Sequence, residues 1–264
     1  MLGIKALGIH SVFVIRNSAF YFLKKIFSRT ESLREADTHY CSGCGHGLVH
    51  RLVAEAIDEL GIREDTIGIT PVGCAVVAYN YWNFDCVESP HGRCLAIATA
   101  IKRLQPERIV FTYQGDGDLA AIGTAETVHT ANRGENLTVI FINNAVYGMT
   151  GGQMAPTTLI GQKTATSPEG RNAKNDGLPL KISEMLAGLA GVYSIERVST
   201  DSPKEIFKTK QAIKNAFKNQ VENKGFSLVE ILSACPTYLG LSPLESMDWL
   251  KNTMSKEFPL GKIK

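Results

Sequence analysis

Two continuous hydrophobic runs, Ile109-Val-Phe-Thr-Tyr113 and Leu137-Thr-Val-Ile-Phe-Ile142, flank a segment of helical composition at residues 119–133. Such runs read as buried strands, and a helix between them makes the two strands parallel neighbours. Just past the first strand stands Gly115-Asp116-Gly117-Asp118, and just past the second stands Asn143-Asn144. A carboxylate and a side-chain amide thereby reach the same end of one sheet. Both are hard oxygen ligands, suited to Mg²⁺ or Ca²⁺ holding a diphosphate. The flanking glycines let backbone N–H groups approach phosphate oxygens. Alone, Gly-Asp-Gly is a common turn; the paired asparagines at this distance raise the functional reading above it.

The rest of the chain repeats the alternation. Helices are expected at residues 46–60, 93–104, 182–189 and 203–221, strands at 66–70, 192–198 and 226–232, and a long irregular loop at 148–179. Gly61 and Pro106 stop two helices, and Pro71 stops a strand. Strands separated by helices argue an α/β fold: a mostly parallel sheet with helices on both faces. In such sheets ligands bind beyond the carboxyl ends of the strands. The 264 residues, 44% hydrophobic and 20% charged, suffice for one large α/β domain. A net charge of +2 gives no electrostatic case for nucleic acid, and the lysines between 204 and 224 read as the outer face of a helix. Residues 1–27 are apolar and aromatic but broken by Lys5, His10, Arg16, Lys24 and Lys25. They do not supply the ~20 apolar residues of a membrane span. Residues 1–31 are read as an N-terminal extension and residues 32–264 as the domain.

Six cysteines are present. Cys74 follows the strand ending at Thr70, Cys235 follows the strand ending at Leu232, and Cys41-Ser-Gly-Cys44 precedes the first helix. The strand-end rule sends these four thiols to the rim that carries Asp116 and Asn144. Cys86 and Cys94 read instead as buried apolar side chains. A disulfide framework is not expected, since nothing secures an oxidising compartment. Four thiolates can hold zinc or an iron–sulfur cluster. Structural zinc usually takes two closely spaced pairs; one pair joined by two distant single cysteines favours a 4Fe–4S cluster. A cluster beside a diphosphate cofactor implies electron transfer from that cofactor.

From about Thr38 to Leu260 the chain resembles the thiamine-diphosphate-binding β subunit of the 2-oxoacid:ferredoxin oxidoreductases. The likeness rests on Cys41-Ser-Gly-Cys-Gly-His46, Pro71-Val-Gly-Cys74, His91-Gly-Arg93, Gly115-Asp-Gly-Asp-Leu119, Asn143-Asn-Ala-Val-Tyr-Gly-Met-Thr-Gly-Gly-Gln153 and Ala234-Cys-Pro-Thr237. Ser42 stands where the family often has proline. The resemblance implies that Cys41, Cys44, Cys74 and Cys235 ligate the 4Fe–4S cluster. It further implies that Asp116, the Asn144 side chain and the Val146 carbonyl hold Mg²⁺ against the diphosphate of thiamine diphosphate. Val72, Gly73, Cys74, Ala75, Gly117 and Asp118 would line that cofactor. Gly148 and Met149 would lie beside the thiazolium, Met149 being the catalytic apolar wedge that keeps the cofactor bent.

The activity so implied is oxidative decarboxylation of a 2-oxoacid to acyl-CoA and CO₂. Electrons pass singly through the cluster to ferredoxin, in an oxygen-sensitive cytoplasmic enzyme that uses coenzyme A. The loop Gly152-Gln-Met-Ala-Pro-Thr-Thr158 is similar to that of the 2-oxoglutarate or branched-chain types. The glutamate that activates the aminopyrimidine has no compelling place at Glu55, Glu88 or Glu126, and in the family it comes from the partner. An α-type subunit is therefore expected, with γ and δ subunits in larger assemblies. Two rival readings stay open: a non-redox thiamine-diphosphate decarboxylase subunit with a structural Cys₄ zinc site, and a non-catalytic cluster-carrying module.

Other residues carry weaker signals. His46 either contacts phosphate or simply starts its helix, while His91 and Arg93 present donors to an anion at a helix start. His39, His50 and His129 read as surface or satisfied helix residues. Gln153, Thr157 and Thr158 are candidates for substrate contact, and Tyr79, Tyr81 and Trp82 for core or subunit interface.

Overall fold

In the computed structural model, which describes residues 28–264, the N-terminal extension read from residues 1–27 lies outside the described part. The strands are β1 (Thr66–Pro71), β2 (Asp85–Ser89), β3 (Ile109–Gly115), β4 (Thr138–Asn143), β5 (Val192–Ser199), β6 (Phe226–Leu232) and β7 (Gly261–Lys262). They form one seven-stranded sheet in the order β2-β1-β3-β4-β6-β5-β7. All pairings are parallel except that of β7 with β5. Every residue of β4 and β6 is buried, as are all but the last of β3. Strands covered on both faces have no reason to alternate polar with apolar, which is why these read as unbroken hydrophobic runs.

Five helices supply the cover: α1 (Gly45–Leu60), α2 (Cys94–Leu104), α3 (Thr124–Asn132), α4 (Ile182–Ala187) and α5 (Pro203–Val221). Val49, Val53 and Ile57 of α1 and Ile213 and Phe217 of α5 pack with Phe111, Ile140 and Val229 on one face of the sheet. Leu95 and Ala98 of α2, Ala131 of α3 and Ile182 and Leu186 of α4 pack with Val110, Val139, Phe141 and Leu228 on the other. The switch of face between Val110 and Phe111 is the period-two alternation of a strand. Each of the larger apolar side chains contributes roughly 1.5–3 kcal/mol by leaving water. The ends follow local rules: Gly61 in the left-handed region closes α1, and the Ser202 hydroxyl accepts from the Glu205 amide to cap α5. Among the described residues no helix is long and apolar enough to cross a membrane.

Three features depart from the sequence-based expectation. The helix expected at 119–133 is split into a wide π turn, Asp118–Ile122, and α3, with Gly123 between them. A Cβ on Gly123 would lie 2.4 Å from the Asp118 carbonyl oxygen and 2.9 Å from that of Gly92. Close packing of backbone on backbone therefore breaks the helix. The edge strand β2 was not anticipated, because its five residues are mostly exposed or half-buried and carry no hydrophobic run. The C-terminal helix Pro243–Trp249, the π turn Leu250–Met254 and β7 were also missed. Their apolar residues, Leu250, Met254 and Phe258, form a separate cluster with Ala145 and Leu232, bracing the loop after β4.

A buried ionic network ties that loop to the sheet. Glu230 of β6 and Arg197 of β5, each with a side chain 1% exposed, pair at 2.8 Å. Glu230 also accepts from Asn143 Nδ2 at 2.8 Å and from the Ser183 hydroxyl at 2.5 Å, while Arg197 reaches Glu184 at 2.6 Å. Removing one partner of a buried pair leaves an uncompensated charge, which costs roughly 3–5 kcal/mol. Glu230→Leu is expected to fall near the low end, about 3 kcal/mol, because Glu184 still holds Arg197. Urea denaturation followed by tryptophan fluorescence measures it; a loss below about 1 kcal/mol would show that the network does not anchor the sheet.

Candidate functional site

Strand order reverses at β1, which has β2 on one side and β3 on the other. Loops leaving the carboxyl ends of β1 and β3 diverge there and open a crevice. The crevice is a cavity of about 120 Å³, and Val72, Gly73, Cys74, Ala75, Asp116, Gly117, Asp118, Asn144, Val146, Gly148 and Met149 all line it. Cys41, Cys44 and Cys235 do not. A larger cleft of about 580 Å³ lies at the far end of α1, among charged residues such as Glu59 and Lys210 that pair with one another. It contains neither a thiol nor a strand carboxyl end, so the smaller cavity is the chemically equipped one.

Asp116 is buried at the cavity floor. Its Oδ2 accepts from the Thr157 hydroxyl and its Oδ1 from the Gly117 amide, both at 2.9 Å. Burial pushes its carboxyl up to about 7, only partly offset by those hydrogen bonds and by the amides of Val146 and Ala145. Among the described residues no cationic side chain figures in that balance. One terminal atom of the Asn144 amide sits 2.7 Å from the Val146 carbonyl oxygen and 3.2 Å from Asp116 Oδ2. With Oδ1 in that position three oxygens converge, an arrangement that is repulsive unless a cation lies between them. With Nδ2 there, the amide merely donates to both.

The loop that creates this convergence is strained and heavily supported. Ala145 has φ +59°, a conformation uncommon for a residue with a Cβ. Its amide donates to Asn143 Oδ1 at 3.3 Å, and its carbonyl accepts from the Thr158 hydroxyl at 2.7 Å and Gln162 Nε2 at 3.1 Å. Of the two threonines that the sequence offers for substrate contact, Thr158 supports this loop and Thr157 donates to Asp116. They are held in turn by Arg171, which is buried and donates to the carbonyls of Ala155, Pro156, Thr158, Asp176, Gly177 and Leu178. Sequence reasoning missed Arg171 and Glu230; an arginine in a polar loop gives no local sign that its partners are backbone carbonyls.

The two basic candidates separate. His91 lines the cavity, its Nδ1 2.7 Å from Asp118 Oδ1, while the Gly92 amide donates to the same oxygen and Gln114 Nε2 to the other. The Asp118 carboxylate is therefore spent on protein groups. Arg93 pairs with Glu126 and does not line the cavity. His46 does line it, with Nδ1 3.0 Å from the Tyr113 hydroxyl. Burial, and then the charge of His50, pushes His46 down to about 3, so it is neutral. His50 bonds its own helix, and Trp82 is core, as read from the sequence. Gly117 sits close beneath Tyr147: a Cβ there would lie 2.9 Å from its ring, which would have to move.

The thiols gather at one wall of the cavity, which Cys74 itself helps to line. A Cβ on Gly148 would lie 3.4 Å from Cys74 Sγ and 3.6 Å from Cys235 Sγ, so both sulfurs rest against the glycine that lines the cavity. Burial pushes Cys44 up to about 12 and Cys74 up to about 11, and raises Cys235. In each case the charges of other members of the set Cys41, Cys44, Cys74 and Cys235 add to the rise. Cys86 and Cys94, also raised by burial, feel none of those four thiols; their charged neighbours are Arg34 and Asp85, and Asp118, respectively. All six are free thiols. Among the described residues no three His, Cys, Asp or Glu side chains converge as a single metal ion requires.

Comparison with known proteins accords with this geometry. Residues 71–231 match the family model of the thiamine pyrophosphate enzyme C-terminal TPP-binding domain. The ketoisovalerate oxidoreductase subunit VorA of Methanothermobacter marburgensis is 50% identical over 90% of this chain, which spans 50% of that relative. The chain thus spans about half the length of the VorA relatives it matches. The 2-oxoglutarate synthase subunit KorB of Methanocaldococcus jannaschii is 40% identical over 85% of this chain and 84% of its own length. Among solved structures, the 2-oxoglutarate:ferredoxin oxidoreductase of Magnetococcus marinus, with 2-oxoglutarate, coenzyme A and succinyl-CoA bound, superposes with a TM-score of 0.72 at 26% identity. That match covers 88% of this chain and 75% of the other. By sequence and by fold, this chain belongs to the thiamine-diphosphate-binding β subunits of the 2-oxoacid:ferredoxin oxidoreductases.

Proposed function

We propose that the chain, with an α-type partner, carries out the oxidative decarboxylation of a 2-oxoacid to acyl-CoA and CO₂, passing electrons singly through a 4Fe–4S cluster to ferredoxin. The observation that carries this reading is the place of Gly148, which lines the cavity and lies against the sulfurs of Cys74 and Cys235. Residues 32–264 form the working domain in this reading, residues 1–31 an extension, and the setting is the cytoplasm.

The residues present fit the groups the family uses. Asp116, the Asn144 amide oxygen and the Val146 carbonyl offer three hard oxygens around a buried carboxylate that lacks a counter-charge. They would hold Mg²⁺ and, through it, a diphosphate. Bound thiamine diphosphate supplies an electron sink for carbon–carbon cleavage. Gly73, Gly117 and Gly148 let backbone approach the cofactor, and Val72, Ala75 and Met149 give it an apolar, water-poor wall. Cys41, Cys44, Cys74 and Cys235 form one electrostatic group that is too spread to close on a single ion. Four thiolates so spaced suit a cubane better than tetrahedral zinc, whose ligands crowd one centre.

The substrate we infer is a 2-oxoacid with an apolar, branched side chain. Among the described residues none that lines the cavity is Lys or Arg, while Val72 and Met149 stand at its rim half exposed. The name of the VorA relative points the same way. No glutamate lines the cavity either. Glu55 pairs with Arg51 and Lys210, Glu126 pairs with Arg93, and Glu88 lies exposed on β2. The carboxylate that activates the aminopyrimidine is therefore assigned to the partner.

Asp116→Ala is expected to abolish retention of thiamine diphosphate while leaving iron at the wild-type level, read by cofactor release and metal analysis; parallel loss of both in a folded protein would argue against separate sites. Cys235→Ser is expected to lower iron and sulfide content and activity, whereas Cys86→Ser and Cys94→Ser leave them nearly unchanged. Zinc alone in the wild-type protein, or iron loss confined to the Cys86 and Cys94 variants, defeats the ligand assignment. The chain reconstituted without a partner should not reduce viologen with 2-oxoisovalerate or any other 2-oxoacid, and adding the α-type subunit should restore turnover; full activity of the chain alone would refute the need for a partner carboxylate.

A further inference from the structure

Tyr40 is the residue immediately before Cys41, and its ring lies across the first turn of α1. It stacks on His46 with centroids 5.5 Å apart and an interplanar angle of 12°. Tilted contacts to His50 and Tyr81, at 5.5 and 5.8 Å, close the other sides. A Cβ added at Gly47 would lie 3.4 Å from the Tyr40 Cβ, so the ring fits against the helix where the sequence has no side chain. These contacts fix the direction of the phenol.

The hydroxyl at its end is buried and has no hydrogen-bond partner. Its two phenolic neighbours differ in this respect. The Tyr81 hydroxyl is engaged by the His39 amide and Nδ1, both at 2.6 Å, and the Tyr113 hydroxyl by His46 Nδ1 at 3.0 Å. A buried hydroxyl without a partner is costly and calls for an explanation. Burial raises the proton affinity of this phenol, and the ionisable neighbours Cys44, Tyr81 and Cys74 add to the rise. Two of the three belong to the thiol group at the cavity wall. Tyr81 is not available, since His39 already engages it. No thiol accepts from the Tyr40 O–H, and the neighbours that no imidazole already engages are the cysteines Cys44 and Cys74.

We propose that the Tyr40 hydroxyl donates a hydrogen bond to a sulfur of the 4Fe–4S cluster and thereby holds the cluster's reduction potential up. The proposal rests on the cluster reading given above and adds to it a residue that is not a ligand. A donor aimed at a cluster sulfur stabilises the more negative, reduced state over the oxidised one. Because the couple takes up one electron and the hydroxyl keeps its proton, no other group need change. Tyr40 acts through the sulfur and is a positioning residue for charge, not a catalytic one.

The test compares the enzyme, purified with its partner subunit, as wild type, Tyr40→Phe and Tyr81→Phe, by EPR-monitored redox titration. Tyr40→Phe should keep its iron and sulfide and lower the equilibrium constant for cluster reduction roughly tenfold, a shift of ~59 mV to more negative potential for a one-electron couple. Tyr81→Phe should leave the potential where it is. An unchanged potential in a fully loaded Tyr40→Phe enzyme, or an equal shift in Tyr81→Phe, overturns the proposal. Should Tyr40→Phe fail to retain the cluster, 3-fluorotyrosine at position 40 decides: it keeps the ring and strengthens the donor, so the potential must rise, and no rise overturns the assignment. Wild-type enzyme without iron and sulfide refutes the cluster itself, a separate failure visible before any potential is measured.

Discussion

Parallel strand direction is the constraint on which the rest depends. Six strands of one sheet run the same way, so every crossover returns the chain to the same edge before it leaves again. Residues far apart in sequence, Cys74 after β1, Asp116 after β3, Asn144 after β4 and Cys235 after β6, therefore share one rim. The condition for this is burial of β3, β4 and β6 on both faces, which α1 and α5 on one side and α2, α3 and α4 on the other provide. Reversal of strand order at β1 then parts the loops and leaves a crevice between them.

At that rim the polypeptide assembles charges and polar groups that it does not itself neutralise. Asp116 is a carboxyl group whose proton affinity burial raises, and the Asn144 amide and Val146 carbonyl are gathered beside it by a left-handed Ala145. Beside Gly148 the cysteine thiols raise one another's proton affinity. Such groups are costly in isolation and become favourable beside a cation. The cost is borne by the surroundings: Arg171 binds the carbonyls of the loop that carries Thr157, and Glu230 fixes Asn143 at the base of the asparagine pair. A site held this firmly can place a cofactor with little reorganisation when it binds.

The cavity is also unfinished from the side of this chain. Among the described residues it is lined by no glutamate and no lysine or arginine, and Val72 and Met149 present apolar surface half exposed at its rim. An apolar rim around a polar floor is what a cofactor shielded between subunits requires.

Much of this was legible without coordinates. Period and punctuation placed α1, α5, β1, β3, β4 and β6 within a residue or two, because each is long and either amphipathic or buried throughout. The strand-end positions of Cys74, Asp116, Asn144 and Cys235 followed from that alternation, and so did the separation of Cys86 and Cys94 from the other thiols. What the sequence could not express was anything that depends on one segment meeting a distant one. The π turn at Asp118 arises from Gly123 packing on Gly92, β2 from pairing at an edge, and the C-terminal helices from a cluster completed by Ala145 and Leu232. The same is true of the roles of Thr157, Arg171 and Glu230, and of the division of labour between His91 and Arg93. Local patterns determine which segments are helix or strand, and so which edge carries the chemistry. Which polar group is satisfied, and which is left facing the cavity or a sulfur, is decided only when the packed tertiary structure removes water from around it.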